Sequence, residues 1–210
     1  MPAPPVPNVS PFLSTRTTSK DRAKKRDALL RAAVRMFNER GFHATSLDDV
    51  AASVGITKPV IYRYLGNKDR VLFECVALGV AELKEAAEQA AAVQGTGLDR
   101  LRMFLRHYAK VVMGDFGRCM ARTGDEVLSA EARPRFRALK REIDTALRAL
   151  IAQAAADGSA QISDVRVTAF AIAGALNWPA RWFDPAGEMS SDEMAAALVD
   201  TLITGIESKN

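Results

Sequence analysis

The chain has 210 residues, 48% of them apolar and 26% charged, with a net charge of +4, an ordinary composition for a globular protein that excludes disordered and fibrous classes. No window approaches the roughly 18 continuous apolar residues of a membrane span. Cys75 and Cys119 are too few and too isolated for a disulfide framework, which points to a reducing cytoplasm.

The charge is unevenly distributed. Residues 1–70 carry 13 Lys/Arg against 6 Asp/Glu, whereas residues 71–210 carry 16 against 19. A basic front part on a mildly acidic body fits a nucleic-acid module joined to a non-binding partner. Residues 1–19, rich in Pro, Ser and Thr, read as a flexible tail without the charged and apolar regions of a secretory signal. Arg16, Lys20, Arg22, Lys24, Lys25 and Arg26 cluster where the tail meets the first helix. They suit either an arm that tracks phosphates or a solvated helix start.

The first helix is expected over about 21–40, with Leu29, Ala33 and Phe37 on one line, Leu30 and Val34 on the next, and Gly41 closing it. In the next segment Leu47, Val50, Ala51 and Val54 recur at the spacing of one buried helical face. Ser46 with Asp49 has the form of a capping box, and Gly55 supplies a left-handed stop. Thr57 is placed to cap a second short helix with Pro59 in its first turn. Two short helices about a Gly-containing turn form a helix-turn-helix. Val60, Ile61 and Tyr64 give the second helix its apolar side, leaving Thr57, Lys58, Tyr62 and Arg63 for phosphates and base edges. No carboxylate lies between Thr57 and Lys68.

Asn67 is expected to cap a fourth helix reaching about Ala92, broken by Gln94-Gly95-Thr96-Gly97. Helical spacing then continues through Leu101, Phe104, Leu105, Tyr108, Val111 and Val112. It persists in a shorter, more polar segment from Asp115 to about Leu128, with a break at Gly124, and in a long run from Glu131 to Ala156. One helix is expected from about Ser163 to Phe183, and a last one capped by Ser191. No alternating strand pattern or internal repeat occurs. The expected class is therefore all-α: a three-helix helix-turn-helix domain over 20–66, then a helical domain over 67–210 entered through the fourth helix.

The run from Phe37 to Val76 resembles the DNA-binding domain of the tetracycline-repressor-like (TetR) family. The likeness rests on the Phe37 to Gly41 helix exit, the Thr45-Ser46 cap, the Asp49-Val50-Ala51 core and the Val54-Gly55-Ile56 turn, and continues through Ile61-Tyr62, Tyr64 and Asn67-Lys68. Leu65 stands where the family usually carries Phe, and Pro59-Val60 where many members carry small residues. The resemblance implies DNA contacts from Thr45, Ser46, Thr57, Lys58, Pro59, Tyr62, Arg63, Tyr64 and Lys68. It also implies a homodimer built on the last two long helices, for which Ala171, Gly174, Ala175, Met194, Leu198 and Leu202 are the candidate contacts; a purely internal core is the alternative use of these residues.

An effector pocket inside the helical body is implied as well. Candidates are Phe104, Tyr108, Phe116, Met120, Phe136, Phe170, Trp178 and Arg181, although an ordinary core role is the commoner use of any one aromatic. The segment Asn177-Trp178-Pro179-Ala180-Arg181-Trp182-Phe183-Asp184-Pro185-Ala186-Gly187 is similar to an ending found in the branch of the family that answers to acyl-coenzyme A thioesters. Arg133, Arg135, Arg137, Lys140 and Arg141 suit either phosphates at a pocket mouth or a solvated helix face. With only His43 and His107 and two distant cysteines, no metal site or other cofactor is expected.

The reading is a dimeric repressor that binds double-stranded operator DNA and is released by a small apolar effector. An all-α enzyme and an effector-less DNA-binding structural protein are the alternatives. No Ser/His/Asp set, Cys/His set or phosphate-cradling loop supports the enzyme.

Overall fold

The computed structural model describes residues 19–205. Among the described residues it contains α-helices and one short 3-10 turn, and no strand. The expected tail falls, apart from Ser19, outside the described residues. The chain divides into two compact units, one ending at Leu72 and the other beginning at Phe73, so the division lies inside α4 (Lys68–Ala91).

The first unit packs α1 (Ser19–Arg40), α2 (Leu47–Ser53) and α3 (Lys58–Leu65) against one another. Its core contains Leu29, Ala33, Val34 and Phe37 of α1, Leu47, Val50 and Ala51 of α2, and Ile61 and Leu65 of α3. The Ser46 hydroxyl accepts from the Asp49 N–H while the Asp49 carboxylate accepts from the Ser46 N–H, closing the capping box. Gly55 adopts φ +71°, a conformation that strains any residue with a Cβ. Thr57 has the extended backbone of an N-cap, but its side chain makes no capping hydrogen bond.

The second unit is built around α5 (Gly97–Met113), which packs against α6 (Asp115–Arg122), α7 (Ala132–Ala156), α8 (Val165–Asn177), α9 (Pro179–Trp182) and α10 (Ser191–Thr204). Leu101, Phe104, Leu105, Ala109, Val111 and Val112 of α5 are all buried, as a helix surrounded by others requires. Two boundaries differ from expectation. The helix expected to continue to Phe183 ends at Asn177 and a separate turn, α9, starts at Pro179, because proline lacks the N–H that would continue the ladder. The cap of α10 is Ser190 rather than Ser191, since only Ser190 has a carboxylate, Glu193, three residues on to complete a capping box.

Candidate nucleic-acid interface and ligand cavity

In the first unit, Thr57 at the N-cap of α3 and Lys58, Pro59, Tyr62 and Arg63 on the helix are exposed, with Tyr64 half-buried beside them. Tyr62 retains 42% exposure, large for an aromatic ring on so small a unit. Its side chain lies under Lys58, whose Nζ is 5.7 Å from the ring centroid, and Arg63 lies similarly over Tyr64 at 5.8 Å. The face therefore combines two cations, a hydroxyl and a phenol, groups that donate to phosphate oxygens and base acceptors.

Lys68 is at the start of α4, its Nζ 4.2 Å from the Phe42 ring centroid and 3.4 Å from the His43 carbonyl oxygen. Partial burial lowers its pKa from the ordinary lysine value, outweighing the opposing charge of Asp69. Ser46 is exposed, but its hydroxyl is engaged in the cap of α2. Thr45 corrects the sequence reading. It is only 1% exposed, and its hydroxyl donates to the carbonyls of Met36 and Gly41, so its side chain ties α1 to the following loop and cannot reach a ligand.

One neighbour of this face was missed. Asp48 of α2 receives a 2.8 Å hydrogen bond from the Lys58 ammonium, the main reason the lysine pKa is raised. The other Asp48 carboxylate oxygen, Oδ1, is buried without a protein partner. α3 itself carries no carboxylate; this one arrives from ten residues upstream.

In the second unit, a half-open cavity of about 360 Å³ lies among α5, α6, α7 and α8 and is lined by residues that include Tyr108, Met120, Lys140, Asp144, Phe170 and Asn177. Of the candidate effector residues, Tyr108, Met120 and Phe170 are in this lining. Phe104, Phe116 and Phe136 are buried in the core and absent from it, so for them the ordinary core role is what the packing shows. Trp178 (61% exposed) and Arg181 lie at the surface and are likewise absent. Arg181 belongs to the separate turn α9, whereas Trp178 caps α8 on its exposed side.

Inside, the Tyr108 hydroxyl donates to Asn177 Oδ1 at 3.1 Å. Burial pushes the phenol pKa up to about 12, so it remains a proton donor at any physiological pH. Asn177 Nδ2 retains two N–H donors beyond this bond. Nearby, Lys140 donates to the Thr123 carbonyl at 3.0 Å, and Asp144 is paired with Arg148 at 2.8 Å. Arg148 and Arg166 lie over the Phe170 ring at 5.2 and 5.6 Å.

The candidate dimer residues occupy open surfaces of the chain. Ala171 and Gly174 are exposed on α8, Ala175 is half-buried, and a Cβ on Gly174 would meet nothing within 4 Å. Exposed Val167 and Phe170 extend this stripe along α8, and Trp178, its C-cap, continues it. On α10, Met194 and Leu198 are half-buried and Leu202 is exposed. Among the described residues no group of three or more His, Cys, Asp or Glu is placed to hold a metal ion. No helix among them is long and apolar enough to cross a membrane. Both cysteines are buried, and desolvation pushes the Cys119 thiol pKa up to about 11.

Comparison with known proteins matches residues 29–75 to the family model described as bacterial regulatory proteins, tetR family, and residues 94–206 to the tetracyclin repressor-like C-terminal domain. The crystal structure of the TetR family transcriptional regulator PfmR from Thermus thermophilus superposes with a TM-score of 0.77 at 32% identity, over 86% of this chain and 99% of that one. AibR, solved in complex with isovaleryl coenzyme A and operator DNA, superposes with a TM-score of 0.74 at 26% identity, over 85% and 97%. The HTH-type transcriptional repressor KstR2 of Rhodococcus jostii is 28% identical over 193 residues, 88% of this chain and 92% of that protein. Other curated relatives match over shorter stretches, and the chain spans 22 to 50% of their length.

Proposed function

The chain belongs to the TetR family of bacterial transcriptional regulators, and from that premise we propose that it is a homodimeric repressor released from its operator by a small acyl effector. The observation that carries the reading is the face of α3, where Thr57, Lys58, Tyr62 and Arg63 stand exposed on a compact helical unit. A helix of eight residues reads too few base pairs to find a genomic site alone. Two copies held by a two-fold axis read two half-sites together. The exposed apolar stripe on α8, with Leu202 of α10, is the surface proposed for that pairing. The proposed organisation is a DNA-binding domain over 20–66 and an effector-binding and dimerisation domain over 67–210.

The effector is assigned to the cavity beside Tyr108 and Asn177. Support for an acyl-coenzyme A class comes from AibR, which was solved with isovaleryl coenzyme A and operator DNA. Support for repression comes from KstR2, named as a repressor and matched over most of its length. Release follows from population shift: an effector that binds better to the DNA-incompetent conformation lowers operator affinity by the difference between its two affinities, not by its total affinity. α4 contains residues of both units and is the proposed route of coupling.

The test is a gel shift with the intergenic DNA upstream of the protein's own gene, with and without acyl-coenzyme A thioesters. A retarded band that the thioester abolishes is the expected result. Failure to retard that DNA even at low salt would remove the operator reading, and a band insensitive to every acyl thioester would remove the effector reading.

A further inference from the structure

A second cavity, of about 380 Å³, adjoins the first on α7. It is lined by Ala130, Arg133, Pro134, Arg137 and Arg141, and Arg141 also lines the cavity that contains Tyr108 and Asn177. The three arginines are spaced i, i+4 and i+8, one helical face rising in steps of about 6 Å. No carboxylate contributes to this lining. The shared residue makes the two cavities neighbours: one lined largely by apolar side chains with Tyr108 and Asn177 among them, the other by three guanidinium groups.

The two cavities select different chemistry. Beside Met120, Ile143, Leu147 and Phe170, the Tyr108–Asn177 pair offers uncharged donors. A ligand carbonyl can accept from Asn177 Nδ2, and a free acid lacks the phosphates that the arginine stripe would hold. The Lys140 ammonium is turned to the Thr123 carbonyl, and the Asp144 carboxylate to Arg148. At about 360 Å³ this cavity is near the lower end of the ~300–1,000 Å³ typical of ligand pockets, so an acyl group fills it and a carrier must extend outside. Outside is the arginine stripe, whose planar forks match phosphate oxygens.

Resting on the effector reading above, we infer that Arg133, Arg137 and Arg141 bind the phosphates of a nucleotide-bearing acyl thioester whose carbonyl is read by Asn177. The site thereby distinguishes a carrier-bound acyl group from the free acid, and a nucleotide carrier from one without phosphates.

Calorimetry on the full chain tests this with acyl-coenzyme A, the matching acyl-pantetheine thioester, which lacks the nucleotide, and the free acid, each across a series from acetyl to palmitoyl. The best coenzyme A thioester is expected to bind at least about tenfold more tightly than its pantetheine and free-acid counterparts, with an affinity that falls as salt rises. Arg137→Gln and Arg133→Gln, both at exposed positions, should bring the coenzyme A thioester down to the pantetheine level, with thermal melting showing that each variant is folded. Asn177→Ala should weaken both thioesters together.

Equal binding of the two thioesters, coenzyme A binding unaffected by both arginine variants, or no binding across the series would overturn the inference. Operator release is measured separately. An effector that releases DNA without the arginine stripe leaves the regulator reading standing and this assignment refuted.

Discussion

Lys58, the first residue of α3, is held 2.8 Å from the Asp48 carboxylate of α2. A carboxylate therefore stands at the N-terminal edge of the face proposed to meet DNA. Lysine cannot donate fully to a phosphate while that bond lasts, so binding exchanges one anion for another around the same ammonium group.

Removing the competitor should help. Asp48→Asn is expected to raise operator affinity by up to about tenfold and to steepen its salt dependence by roughly one phosphate contact. Fluorescence anisotropy with labelled operator over a salt series reads both quantities. Weaker binding by a folded variant would mean that Asp48 positions Lys58 for DNA rather than withholding it.

Arg63 and Tyr62 are exposed on the same face of α3. Arg63→Ala or Tyr62→Ala should lower operator affinity by about 1–3 kcal/mol while the dimer persists, because neither residue is on α8 or α10. Size-exclusion chromatography with light scattering, run beside the binding assay, checks both halves; loss of the dimer would contradict the assignment.

Thr45 acts in the fold. Thr45→Val keeps the shape but removes the donor to the Met36 and Gly41 carbonyls, and should destabilise the protein by about 1–2 kcal/mol in urea unfolding. An unchanged midpoint would show that these bonds contribute nothing net.

Gly117 lets α6 turn back against the end of α5. A Cβ there would collide with the Val111 carbonyl and the backbone around Val112, neither of which can rotate away. Gly117→Ala should therefore lose about 3 kcal/mol or more, seen as a drop in Tm, and a variant of wild-type stability would contradict that crowding.

Three helices start with a capping carboxylate, Asp49, Asp99 and Glu193, and hydrogen bonding within each box holds its pKa below the ordinary value. The unfolded chain binds protons more readily at these positions, so their contribution is complete above the ordinary carboxylate range and is lost as pH falls through the lower folded values. Tm should fall as pH drops below the ordinary carboxylate range, and less steeply in the combined Ser46→Ala, Thr96→Ala, Ser190→Ala variant. Equal slopes would show that the boxes do not set this dependence.

Much of the fold was legible along the chain. The all-α class and the stops and starts around Ser46, Gly55 and Asn67 depend on neighbours within a turn or two, where the 3.6-residue period and capping chemistry operate. The same local logic explains the two boundary errors. Pro179 removes a ladder donor inside a small-residue run, and Ser190 rather than Ser191 has its carboxylate at the third position.

The candidate site was less legible because burial was invisible. Aromatic spacing on α5 and α7 marks Phe104, Tyr108 and Phe136 alike as facing inward, yet only Tyr108 lines the cavity. Asn177 stood in a noticed motif, but nothing along the chain paired it with a phenol 69 residues away. Local hydrogen bonding and periodic burial, both written in the order of residues, determined where helices lie and which stripes turn inward. Only the packing of those helices decided that Asp48 guards Lys58, that Asn177 meets Tyr108 and that Arg141 borders both cavities, because such meetings depend on three-dimensional distance rather than separation along the chain.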